Sequence, residues 1–218
     1  MNYQTLKARH RAERDTHHVN LSLRVHRALS WLDRAERLTD DADGRFIFLW
    51  ISFNAAYASE IDEHYRTSEK DTFRSFLKKL IELDGKSRFE QLVWTEFSGS
   101  IRLLLENPYV FYDFWSHQKG EITEDEWKKR FASANAAVKR ALSRRDTETV
   151  LSVVLSRIYT LRNQLMHGGA TWNSSVNRDQ IRDCVNLLGK LTPLTIEVML
   201  DHPETLWGDA CFPVISAS

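Results

Sequence analysis

Three residues within one short stretch, Arg162, Asn163 and His167, carry groups suited to binding a phosphate and moving a proton. An arginine offers a planar, always charged fork that matches phosphate oxygens. Histidine both takes and gives a proton near neutral pH. His167 stands immediately before Gly168-Gly169, where a helix is expected to end and its exposed carbonyls and dipole favour the imidazolium form. Asn163 precedes it by one helical turn, within reach of the imidazole or of a bound phosphate. The chemistry these residues suggest is general acid–base catalysis at histidine with charge stabilisation by arginine. A plainer reading stays open, in which a buried arginine is paired with a carboxylate and the histidine only caps a helix.

Other residues enter as supports or alternatives. Asn54 lies in the almost wholly apolar segment FIFLWISFNAAYASEI. A buried amide there needs hydrogen-bond partners, so it is either a core clamp or a support behind the motif. Lys139, Arg140, Arg144 and Arg145 immediately precede the motif helix and offer charge to an RNA backbone, although basic residues at a helix C-terminus also simply complement its dipole. The aromatic group Tyr109, Phe111, Tyr112, Phe114 and Trp115 has the chemistry to stack bases, but in a helical protein it reads first as core. His17 and His18 lack convincing metal-ligand spacing and read as part of a solvated tail. Glu60, Asp62 and Glu63 form no clear metal constellation, so neither a metal nor a cofactor is expected.

The elements that must position these residues are helices. Apolar residues recur with a helical period through most of the chain, without internal repeats or a low-complexity linker. Residues 1–18 are polar and basic, a frayed arm or an added helix; 19–200 read as one helical domain; 201–218 read as an irregular tail. Leu21, Val25, Ala28, Leu32 and Ala35 mark a first amphipathic helix. The apolar segment around Asn54 is too long for a strand without a turn and is expected to be a buried helix. Residues 73–81 give a shorter helix, and 87–106 another that stops at Asn107-Pro108. Thr123-Glu124-Asp125-Glu126 is a capping box opening the next. Asp146 or Thr147 caps the motif helix, which runs to His167. A last helix over about 176–200 contains Cys184, expected in the core, and Pro193, expected to kink it.

The motif helix has charges only at Arg157 and Arg162. At about 100° per residue, Leu151, Val154, Leu155, Leu161 and Leu165 fall within roughly 60° of Ile158 and form the core stripe. Arg162 lies only about 40° from that centre. The opposite face carries Ser152, Ser156, Asn163 and His167, small or uncharged groups that suit close approach of another helix and point to a two-fold dimer. Arg162 and His167 project about 140° apart on an ideal helix, so their convergence requires a fraying last turn or a second subunit.

Composition bounds the classes. With 8 glycines and 4 prolines in 218 residues, a turn-rich β fold is disfavoured. The formal net charge is +0, which excludes a global basic excess and leaves RNA attraction to local patches. Two cysteines, Cys184 and Cys211, are too few for a disulfide framework or a four-thiolate zinc site. Neither an apolar leader nor a run of membrane-spanning length is found, so a cytoplasmic protein without membrane attachment is expected.

The run Arg162-Asn163-Gln164-Leu165-Met166-His167 resembles the R-x4-6-H signature of HEPN domains in its R-N-x-x-x-H form, and LWISFNAAY is similar to the apolar W-x-x-F-N-x-x-Y helix of several HEPN groups. The likeness spans about residues 20–200. It implies an all-α, HEPN-like helical bundle with additional helices, a homodimer whose two motifs face one cleft, and metal-independent RNA cleavage by attack of the ribose 2′-OH. His167 would then be the general acid or base, Arg162 would stabilise the phosphorane charge, and Asn163 would orient phosphate or imidazole. Such domains serve as toxins or antiviral effectors, some paired with a nucleotidyltransferase-fold antitoxin. A catalytically inactive member that binds RNA, a nucleotide or a protein partner is the alternative the same resemblance allows.

Overall fold

The helical period is realised in most of the described residues. A computed structural model describes residues 1–57, 69–175 and 177–210, and among these the fold is all-α, with no strand. Contacts divide the chain into two compact units, Met1–Lys86 with Val185–Ser218, and Ser87–Cys184. This departs from the single domain expected over 19–200. Segments from both ends of the sequence share one unit, and one boundary falls inside a long helix, where no change of composition betrays it.

In the first unit, α1 (Tyr3–Glu13), α2 (Val19–Glu36), α3 (Ala42–Tyr57) and α4 (Glu69–Leu83) are joined by the C-terminal part of α10 (Arg178–Asp201). The start of the chain is a docked helix. Leu6 is fully buried, Arg9 pairs with Asp201 at 2.6 Å, and the same guanidinium donates to the Leu200 carbonyl at 3.0 Å. His17, taken from sequence as part of a solvated tail, has a side chain only 3% exposed, while His18 Nδ1 accepts from the Asn20 N–H and caps α2. The expected stripe of α2 is buried and packs on α3. There the Ser52 hydroxyl donates to the Ala28 carbonyl at 2.6 Å, a bond that requires close approach of the two backbones. Residues 202–210 are irregular as expected, yet anchored: Trp207 is buried, and Arg24, also buried, donates to the carbonyls of Ala56 and Asp209. Glu60, Asp62, Glu63 and Cys211 lie outside the described residues.

The second unit contains α5 (Arg88–Gln91), α6 (Ser98–Glu106), α7 (Tyr112–Gln118), α8 (Glu124–Ser143), α9 (Thr147–Met166) and the start of α10. The single helix expected over 87–106 is interrupted by a π-helical turn at Leu92–Glu96, closed by the Phe97 N–H on the Leu92 carbonyl at 3.1 Å. The wider turn re-phases the helix, so that Leu92 and Val93 before it and Ile101, Leu104 and Leu105 after it are all buried. Thr123 and Glu126 form the capping box of α8. Asp146 caps α9 by accepting from the Thr149 N–H at 3.0 Å. Cys184 is buried, and burial pushes its thiol pKa well above the ordinary value.

Candidate active site

Helix α9 is the platform of the site. It is packed by α6, α8, the π-helical turn and a 3-10 turn at Pro108–Val110. Contact from several sides widens its buried arc to include Val150, Leu151, Val154, Leu155, Arg157, Ile158, Thr160 and Leu161. The arginine in the core is therefore Arg157, 4% exposed, whereas Arg162, expected on the core stripe, is half-buried and so is Leu165. Ser156, Tyr159, Met166 and His167 remain exposed, while Ser152 and Asn163 are half-buried.

Arg162 does not project straight from its own position. Its Nη1 donates to Asn163 Oδ1 at 2.8 Å, and the guanidinium lies 5.6 Å from the Tyr159 ring centroid, within cation–π range. The bond couples the guanidinium to the next residue of the helix, and on the wheel Asn163 lies about 40° from His167.

The helix end is built in detail. His167 is the C-cap residue, with its N–H on the Asn163 carbonyl at 3.0 Å. Gly168 adopts φ +71, a conformation that favours glycine. Its N–H reaches the Leu165 carbonyl at 3.2 Å, and the Gly169 N–H reaches the Gln164 carbonyl at 2.7 Å. These two bonds form a Schellman motif, which leaves His167 exposed on an ordered terminus. Gln164, given no role from sequence, tethers that terminus. Its amide donates to the Tyr109 carbonyl at 2.7 Å and its oxygen accepts from Asn177 Nδ2 at 3.1 Å. A glutamine between two motif residues carries no sequence signal for such a clamp, because both partners come from distant turns.

The remaining candidates are placed in their own elements. Lys139, Arg140, Arg144 and Arg145 are exposed, and Arg145 lies 5.3 Å from the Trp94 ring centroid. Lys139 and Arg140 belong to the end of α8, while Arg144 and Arg145 stand just before α9, which at 1.5 Å per residue carries Arg162 and His167 about 22 to 30 Å from its start. Adjacency in sequence thus becomes opposite ends of one rod. Asn54 belongs to the first unit, half-buried on α3, where the fully buried polar group is Ser52. The aromatic group is mixed: Tyr109 and Tyr112 are exposed, while Phe114 makes edge contacts with Tyr109, Trp115 and Trp127. Among the described residues, no group of three or more His, Cys, Asp or Glu is placed to hold a metal ion, and no helix is long and apolar enough to cross a membrane. Compared with protein families, curated proteins and solved structures, the chain matches none.

Proposed function

We propose that this chain is a metal-independent endoribonuclease of HEPN type, acting as a homodimer in the cytoplasm. The observation that carries the reading is the Arg162–Asn163 hydrogen bond, which couples a fixed positive charge to the residue one helical turn before an exposed histidine. In the reaction, His167 as base removes the proton of the ribose 2′-OH, whose oxygen attacks the adjacent phosphorus. Arg162 stabilises the charge that develops on the phosphoryl oxygens. A proton delivered to the leaving 5′ oxygen completes the step, leaving a 2′,3′-cyclic phosphate and a 5′-OH end. A second copy docked on the Ser156, Tyr159 and Met166 face supplies a second His167, so acid and base roles divide between subunits. A toxin or antiviral role, with a nucleotidyltransferase-fold antitoxin as partner, accords with this activity.

The test is RNA cleavage by the purified protein in EDTA. His167→Ala and Arg162→Ala each abolish cleavage while leaving the helical circular dichroism unchanged, and the wild-type products carry cyclic phosphate ends. Undiminished cleavage in both variants overturns the reading. The second reading, a non-catalytic module that binds RNA, a nucleotide or a protein, draws on the same hydrogen bond, since it also satisfies Arg162 within one subunit. Intact RNA together with RNA binding lost in Arg162→Ala identifies that case.

A further inference from the structure

The second unit holds a cation that the proposed reaction does not use. Arg157 is 4% exposed, and its guanidinium lies 4.4 Å from the Phe111 ring centroid and 5.8 Å from that of Phe131. The two rings lie beside the guanidinium carbon and offer its N–H groups no hydrogen-bond acceptor. Nε is sealed from solvent with no hydrogen-bond partner, whereas neither Nη is sealed. An arginine has five N–H donors in one plane, and cation–π contact satisfies none of them. The carboxylate that favours its charge, Asp113, is paired with Arg130 at 3.6 Å.

Burial draws the Arg157 pKa down to about 10, against the influence of Asp113, so the group stays charged at neutral pH. A buried cation with an open in-plane edge calls for an oxyanion. The covering rings, Phe111 and Phe131, are themselves half-buried and in contact at 5.2 Å between centroids, and the exposed Tyr112 neighbours Phe111 in the chain.

We propose that the in-plane edge of Arg157, beneath the Phe111–Phe131 pair, is a binding site for a phosphate group. The site takes the anion through the two Nη groups, which are not sealed, with the Phe111 and Phe131 rings alongside the guanidinium. It does not depend on the ribonuclease reading, because none of its residues belongs to the Arg162–His167 set.

The experiment uses the full chain carrying His167→Ala, so that nucleic-acid probes survive and cleavage plays no part. Inorganic phosphate is titrated against chloride at equal ionic strength, while the Arg157 Nε–H resonance and the Tm are followed. The resonance shifts saturably and the Tm rises with phosphate. Arg157→Met, which removes the fork but keeps an apolar stem, loses the Tm rise; Arg157→Lys, which keeps the charge, retains only part of it. A short oligouridylate that displaces inorganic phosphate from the resonance identifies RNA backbone as the source, and failure to displace it identifies a free phosphate. An Nε–H resonance that stays still under phosphate, or equal stabilisation of wild type and Arg157→Met, overturns the proposal.

Discussion

Within six residues, Arg162 to His167, neighbours do different work. Arg162 and Asn163 are coupled, Gln164 is a clamp, and His167 is exposed at a capped end. Asn163→Ala removes the acceptor of the Arg162 guanidinium. A hydrogen bond to a charged group is worth about 1.5–3 kcal/mol, so kcat/KM for RNA cleavage falls by roughly ten- to a hundredfold without abolition. An effect as large as that of Arg162→Ala would instead give Asn163 a direct role at the phosphate. The pair itself was legible in sequence as types and spacing. Its geometry was not, because a helical wheel treats side chains as spokes, whereas a long arginine bends to its nearest acceptor.

At the element scale, α9 depends on its two ends. Asp146→Ala removes the N-cap acceptor and costs about 1 kcal/mol of stability. Gly168→Ala forces a side chain into φ +71, at a cost of about 1–2 kcal/mol. Chemical denaturation measures both. The two changes separate by function: Gly168→Ala lowers cleavage per folded molecule because it disturbs the turn that presents His167, whereas Asp146→Ala, some 30 Å along the helix by its rise, leaves it unchanged. Both caps were readable in sequence, since an aspartate before an apolar period and a diglycine after it have local conformational causes. The interrupted segment at 92–97 was not, because a π-helical turn is selected by the packing on either side.

For the whole molecule, pH acts through the first unit. His10 is buried, 1% exposed. Burial, with the nearby charge of Lys7 and then the influence of His26, lowers its pKa from 6.5 to about 4. His26, whose Nδ1 accepts from Lys7 Nζ at 3.3 Å, is lowered too, first by burial and then by Lys7 and Arg14. A histidine held neutral in the fold stabilises it above the unfolded pKa, and this stability is lost as pH falls from about 6.5 toward 4, where the unfolded chain binds the proton first. For His10 alone the loss is on the order of 3 kcal/mol. His10→Leu flattens the stability–pH profile between those limits; an unchanged slope refutes the assignment. Assembly is the second property at this scale. Ser156→Glu places a charge on the proposed face between copies, so sedimentation shows a monomer and cleavage is lost although Arg162 and His167 are intact.

By itself, the sequence determined the helical class, the ends of α9, the α2 stripe and the residue types of the motif, because these follow from local period, capping and side-chain chemistry. Only the tertiary structure decided which arginine is buried and which is half-exposed, that Gln164 anchors the helix end, and that the basic group lies a helix length from the motif. It also joined both ends of the chain in one unit, so that the opening residues form a docked helix. These outcomes depend on which distant segments pack on α9 and α1, and such partners leave no mark on the local pattern. The Arg162, Asn163 and His167 set thus keeps its residue types from sequence, and takes from the fold the Arg162–Asn163 bond and the turn that leaves the histidine exposed.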